Sequence, residues 1–351
     1  MVIIAVLLFG FMIFIHEFGH FFTAKLSGIC VNEFAIGMGP TLFHFQRGET
    51  KYSLRLLPIG GFCAMEGEEE ESGSARAFNR KPIWKRMIVV AMGAIMNMLL
   101  GLVLMMILLG QEPAFNSTTI SQFYPGSALQ KAGLKAGDEF VSVDRYRVFG
   151  DKDLSFALAT ANPDSVDICV NRDGKPIEYD NVKFNSRSVN GKKVVTLDFY
   201  VQPVGKNAGT LIGKSFQDTV STVRMVWYSV VGLLTGKFGF NDLAGPIGTA
   251  SAISEAASIG LKQNFLAALN NILYIMMIIT VNLGVVNLLP FPALDGGKLL
   301  FLAVEGVRRK PMNPKYENWV NAVGFSLLMV LMVIVTYSDI LRLVTGKGLG
   351  G

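Results

Sequence analysis

Charge is scarce in this sequence. Asp, Glu, Lys and Arg make up 17% of its 351 residues, against about 25% in soluble domains. Hydrophobic residues reach 51% and gather in long uncharged runs, which point to membrane rather than to a large soluble core. Cysteine is nearly absent. Cys30, Cys63 and Cys169 are odd in number and far apart, so no CxxC pair or disulfide framework is expected. They read as small buried apolar residues. No basic stripe accompanies the net charge of +5, which leaves no footprint for nucleic acid. The opening run lacks the basic region and small-residue cleavage site of a signal peptide, so it reads as a retained helix. There is no internal repeat.

The apolar runs are long enough to span a bilayer, which takes about 20 residues of helix. Four candidates result: Met1–Thr23, Met87–Gly110, Gln263–Leu294 and Asn318–Ser338. Pro290 and Pro292 must break the third near its end. Arg47, Lys51, Arg55, Arg76, Arg80, Lys81, Lys85 and Arg86 lie between the first two spans. Lys298, Arg308, Arg309, Lys310 and Lys315 lie between the last two. Both loops are therefore expected on the cytoplasmic side of an inner or plasma membrane, with both termini and the middle of the chain outside.

The expected architecture is a polytopic α-helical membrane protein with an added α+β domain outside the membrane. Residues 1–110 form the first membrane half, and 263–351 the second. Segment 115–204 reads as the mixed domain. It has a helix over 127–132, a strand over 139–148, a helix over 154–160, and strands over 165–170, 177–184 and 193–201. Asp-Gly at 173–174 and Asn-Gly at 190–191 are hairpin signals. Segment 206–262 reads as amphipathic helix along the membrane surface. Glu66–Ser74, with the acidic run 68–71, reads as a solvated linker. Between the first two spans, Lys51–Leu56 alternates, Pro58–Gly61 turns and Phe62–Met65 continues, a hairpin signature.

Chemistry concentrates in His16-Glu17-Phe18-Gly19-His20. The chain has only three histidines, and two of them stand one helical turn apart, on one face, able to share a zinc ion. Glu17 between them is placed to take a proton from water at that metal. A Glu and two His in one turn of a membrane helix need compensation, which a metal ion supplies. A catalytic zinc site takes a third protein ligand and leaves the fourth position open. Asp295, in Asn287-Leu-Leu-Pro-Phe-Pro-Ala-Leu-Asp295-Gly-Gly297, is the candidate. Read alone, it would N-cap a helix over 298–308. His44, in the polar loop, is the rival ligand. Asn97, Asn282 and Asn287 also sit in spans, where they either hold a substrate backbone or join helix to helix.

These residues together resemble the site-2 protease family of intramembrane zinc metalloproteases, in particular its bacterial regulator-of-sigma-E branch. The resemblance runs through His16-Glu17-x-x-His20, Val31–Pro40, Leu57-Pro-Ile-Gly-Gly61, Gly93-x-x-x-Asn97, Leu243-Ala-Gly-Pro-Ile-Gly248 and the motif from Asn287 to Gly296. It implies that His16, His20 and Asp295 bind zinc, that Glu17 is the catalytic base, and that Asn282 and Asn287 position substrate. It also implies that Tyr52–Met65 is a re-entrant β-hairpin and that 115–204 is a PDZ domain. Implied substrates are single-span proteins already trimmed by an upstream site-1-type protease, such as anti-sigma factors, or signal-peptide remnants. The chain departs from some relatives in having room for one PDZ domain rather than two, and in lacking a Pro after Gly93.

A substrate helix must unwind before its carbonyls can be attacked. The hairpin, through Tyr52, Leu54, Gly60 and Gly61, is placed to hold the unwound segment by strand addition. With Asn97, these complete the candidate substrate contacts. Two other functions compete. A binding module with an inert membrane anchor has no use for Glu17. A zinc transporter needs polar residues along a through-path, and the outer halves of these spans are almost purely apolar.

Overall fold

The computed structural model describes residues 2–68, 72–189, 192–237, 239 and 243–345. The Asn-Gly pair at 190–191 and most of the acidic run 68–71 lie outside the described residues. The chain divides into two units. Its two ends, 1–104 and 243–346, form a helical unit. Residues 105–242 form a second unit around a sheet.

Four helices are long and apolar enough to cross a membrane, which makes this a multi-pass membrane protein. They are α1 (Val2–Leu26), α2 (Ile83–Leu109), α7 (Phe265–Asn287) and α9 (Pro314–Thr345). α1 stops at Gly28, whose φ of +69° closes the helix as a side-chain-bearing residue would not. α2 starts just after Pro82, whose ring suits a helix entry. α7 ends at Asn287, ahead of the expected Leu294, because Pro290 and Pro292 cannot continue the ladder. Glycines let these helices meet at backbone distance. A Cβ on Gly19 would lie 2.5 Å from the Met92 carbonyl oxygen, and one on Gly101 2.4 Å from Val281. Arg86 of α2 forms a two-pronged ion pair with Glu305 of α8 (Asp295–Arg308) at 2.5 and 3.1 Å.

Between α1 and α2 lies an antiparallel pair, β1 (Val31–Arg47) and β2 (Thr50–Met65). Both strands fold back on themselves. Glu33–Ile36 is flanked by Gly61–Ala64 on one side and by Lys51–Leu54 on the other, and Phe43–Gln46 covers the far side of Lys51–Leu54. Among the described residues, the segment Gly61–Met65 therefore has a strand on one side only.

In the second unit the sheet order is β10-β3-β4-β6-β7, with β3 (Ala114–Phe123), β4 (Glu139–Val143), β6 (Val166–Arg172), β7 (Lys175–Val182) and β10 (Phe199–Gly205). The strand expected over 139–148 is in fact a tight hairpin, β4 to β5 (Tyr146–Arg147). Asp144 and Arg145 both take positive φ and turn the chain. The run 193–201 is likewise broken, into β9 (Lys192–Val195) and β10, and β9 pairs with β8 (Ser186–Val189). Helices α3 (Ala128–Lys131) and α4 (Asp151–Thr160) complete this unit's core, where Ile120, Leu129, Phe140, Leu158 and Ile168 are buried. Arg172 holds Asp138 at 2.6 and 2.7 Å. Burial alone would push the Asp138 carboxyl up, but the Arg172 guanidinium and the Lys135 amide hold it below the usual carboxylate range.

The stretch 206–262 is shared between the units. α5 (Ala208–Leu234) belongs with the sheet, and α6 (Pro246–Leu261) with the helical unit. Side chains explain the division. Lys214 and Arg224 of α5 pair with Asp151 and Asp153 of α4. The first amides of α6, at Gly245 and Gly248, donate to the buried Asp339 carboxylate of α9.

Candidate active site

α1 carries His16 and His20 on one face, with their ring planes 83° apart. Their Nε2 atoms are 3.3 Å apart, and Asp295 Oδ2 lies 3.1 Å from one and 3.5 Å from the other. Zinc–nitrogen and zinc–oxygen bonds of about 2.0–2.2 Å in a tetrahedron imply ligand–ligand edges of about 3.3–3.6 Å. The three atoms thus form one face of a zinc-sized tetrahedron. Asp295 Oδ2 is buried without a hydrogen-bond donor, and a cation satisfies such an oxygen. Among the described residues, these three form the group able to hold a metal.

Second contacts fix the rings. His20 Nδ1 donates to the Val89 carbonyl at 2.9 Å, which leaves the Nε2 lone pair free for a metal. His16 Nδ1 faces the Asn97 amide at 3.3 Å. Once Nε2 binds a metal, Nδ1 carries the hydrogen, so the amide presents its oxygen to it. That orientation also gives the buried Asn97 Oδ1 the partner it otherwise lacks. Asn97 is thus a prop for His16 and is fully buried, rather than open to a substrate. Gly93 makes the arrangement sterically feasible. A Cβ there would lie 2.3 Å from His20 Nε2 and 2.8 Å from His16 Cε1.

Asp295 is brought in by the broken end of α7. Ala293 takes a φ of +70°, and the chain then enters α8 at Asp295 itself. Leu294 holds the N-cap position without a side-chain cap bond, so the Asp295 carboxylate is not spent on capping. Gly296 and Gly297 allow the turn to close, because a Cβ on either would lie 2.1 or 2.4 Å from the Leu289 or Phe291 carbonyl oxygen. His44 is exposed on β1 and takes no part.

A cleft of about 650 Å³ opens on these atoms, walled by Glu17, Phe62–Glu68, Val90 and Lys298. Gly61 lies against Glu17, with a would-be Cβ 3.3 Å from Glu17 Cγ. Asn287 Nδ2 is 3.5 Å from His16 Nε2. Asn282 is exposed on α7. Tyr52 and Leu54 have strands on both sides, so no edge is free there. Gly60 lies against Met38 with a φ of +87°. Among the described residues, the edge without a neighbouring strand is Gly61–Met65, and its residues Phe62–Met65 wall the cleft.

The sequence profile of peptidase family M50 matches residues 4–331. The chain belongs to this family, the site-2 proteases. This M50 peptidase is 36% identical over 349 residues to a protein from Clostridium perfringens named as a zinc metalloprotease, covering 97% of this chain and 98% of that one. A zinc metalloprotease by name from Clostridium acetobutylicum is 35% identical over 339 residues, with 97% of each chain covered. The regulator of sigma-W protease RasP of Bacillus subtilis is 29% identical, covering 97% of this chain and 98% of RasP. That alignment extends over 424 positions, more than the 351 residues present here, so RasP has segments with no counterpart in this M50 peptidase. The chain is a zinc metalloendopeptidase. Gly93 and the edge Gly61–Met65 acquire significance only through their spatial neighbours; in the sequence, Gly93 reads as helix packing and the edge as one arm of a hairpin.

Proposed function

We propose that this M50 peptidase hydrolyses a peptide bond within the membrane-spanning segment of single-span proteins, with His16, His20 and Asp295 holding zinc and Glu17 as general base. The observation that carries the reading is the 3.1, 3.3 and 3.5 Å triangle of ligand atoms beside Glu17. Zinc bound there supplies Lewis-acid chemistry, polarising a carbonyl and making water acidic enough to lose a proton near neutral pH. Glu17 takes that proton and returns it to the departing amine. Asn287, beside His16 Nε2, is within reach of the substrate backbone at the reacting carbonyl.

An unwound substrate adds as a strand to the segment Gly61–Met65, of which Phe62–Met65 line the cleft. This moves the docking edge from Tyr52 and Leu54, which are enclosed in the sheet, to the segment that touches Glu17. In this reading β1 and β2 are a re-entrant element, tolerated at membrane depth because they line a cavity. The basic residues of both loops support a reading with the cleft toward the cytoplasm and residues 115–204 outside. The sheet unit is read as a PDZ-like domain, since β10 stands at the end of the sheet with one edge unpaired among the described residues. Anti-sigma factors and signal-peptide remnants, first trimmed by a site-1-type protease, are the substrate classes.

The test uses a single-span reporter reconstituted with the full chain. Glu17→Gln should keep its zinc and lose about 10²–10⁴-fold in cleavage rate. Undiminished turnover by that variant would remove Glu17 from the mechanism.

A further inference from the structure

Most of α9 is exposed. Among its described residues, only Gly324, Val335 and Asp339 are buried. Val335 and Asp339 meet the start of α6, where a Cβ on Gly245 would lie 2.9 Å from Val335 Cγ1 and 2.6 Å from Asp339 Oδ2. Gly324 meets a different element. A Cβ there would lie 2.4 Å from Pro292 Cβ and 2.8 Å from the Pro292 carbonyl oxygen. Three residues earlier, on the same face of the helix, Asn321 Oδ1 accepts from the Ala293 amide at 3.2 Å. Neighbouring positions of α9 thus grip both Pro292 and Ala293, just ahead of Asp295.

That turn needs a grip from outside. Ala293 holds a φ of +70°, which a residue with a side chain keeps only where its surroundings impose it. The other amides of the turn bond locally. Phe291 donates to the Leu289 carbonyl at 2.6 Å, Leu294 to Phe291 at 3.2 Å and Gly297 to Leu294 at 3.0 Å. The Ala293 amide instead reaches across to α9. Within a bilayer no water stands ready to replace a lost acceptor, so a freed amide would rotate toward another partner and carry the following residues with it. Leu294 has no side-chain cap bond to hold the start of α8 against that rotation.

We propose that Asn321 is a positioning residue for the metal site. Its carbonyl oxygen fixes the Ala293 peptide, and through it keeps Asp295 Oδ2 at 3.1 and 3.5 Å from the two imidazole nitrogens. The last span is then a working part of the metal centre rather than an anchor alone. This role rests on Asp295 being a zinc ligand.

The test measures metal binding by the purified full chain in detergent, with zinc competed against a chelator and with cobalt(II) as a coloured substitute. Asn321→Leu keeps the side-chain volume and removes the acceptor, whereas Asn321→Asp keeps an acceptor oxygen in the same place. The expected result is a zinc affinity about 10–100-fold lower in Asn321→Leu, the usual loss when an outer contact of a ligand is removed. Its visible cobalt bands should weaken as the tetrahedral set loosens, and Asn321→Asp should stay near the natural chain in both readouts. Natural affinity and a natural cobalt spectrum in Asn321→Leu overturn the proposal. So does an equal loss in Asn321→Asp, because the residue then only packs α9. Asp295→Ala, measured alongside, separates the two claims. If it keeps its zinc, the ligand assignment fails and this role with it; if it loses zinc while Asn321→Leu does not, the positioning role alone fails. If Asn321→Leu does not fold, Gly324→Ala pushes on the same turn from the second contact. Weakened zinc binding in that variant supports the proposal, and unchanged binding overturns it.

Discussion

A methyl group at position 93 would press into both imidazoles, 2.3 Å from His20 Nε2 and 2.8 Å from His16 Cε1. Neither ring can retreat, since His20 is tied to the Val89 carbonyl and His16 to Asn97. Gly93→Ala is therefore expected to lose zinc while keeping its helical circular dichroism, measured as metal per chain after dialysis. Asn97 acts one bond further out. Asn97→Ala removes the acceptor for His16 Nδ1–H and should weaken zinc binding about 10–100-fold, read by competition with a chelator. Asn97→Asp keeps an oxygen in place and should recover much of the loss; equal losses in both variants would mean that Asn97 only fills space. Spacing and chemistry mark the HExxH pair directly in the sequence, whereas Asp295 stands out there only because two histidines call for a third ligand. The supporting contacts were not legible, since a glycine or an asparagine within a span has the same sequence signature whether it props a ligand or joins two helices.

At the scale of elements, the seating of α6 depends on one carboxylate. Asp339 accepts from Gly248 N at 2.7 Å and from Gly245 N at 3.3 Å, and Arg342 lies 3.7 Å from it. Asp339→Ala leaves buried amides and a guanidinium short of a partner, at a cost of about 1–3 kcal/mol. Thermal unfolding in detergent should report it as a lower midpoint, and an unchanged midpoint would mean that water replaces the carboxylate. In the sheet unit, Asp138 titrates below its ordinary value because of Arg172. A lowered carboxyl pKa stabilises the fold above the unfolded value of about 3.9, and that stability is lost as pH falls through the lower folded value. The sheet unit should thus hold its unfolding midpoint from neutral pH down to about pH 4 and weaken below it. Asp138→Asn should be less stable at neutral pH and show a shallower acid limb. Sequence signals located most of these elements, because span hydropathy and Gly-containing turns act locally. They failed where a turn used ordinary residues, as at Asp144 and Arg145, and where a tertiary partner decided the outcome, as when α5 and α6 went to different units.

For the whole molecule, the helical unit is built from both ends of the chain, which brings residues 16, 20 and 295 within one metal's reach. The sequence implied this closure only through chemistry, since two histidines need a third ligand; nothing local to Asp295 distinguishes it from a helix cap. The most direct measurement is zinc per chain by atomic absorption, in the purified natural protein and in Asp295→Ala, after equal dialysis and with equal helical content. One zinc per natural chain and a large loss in the variant is the expected result. Equal zinc in both proteins would contradict a site that His16, His20 and Asp295 share.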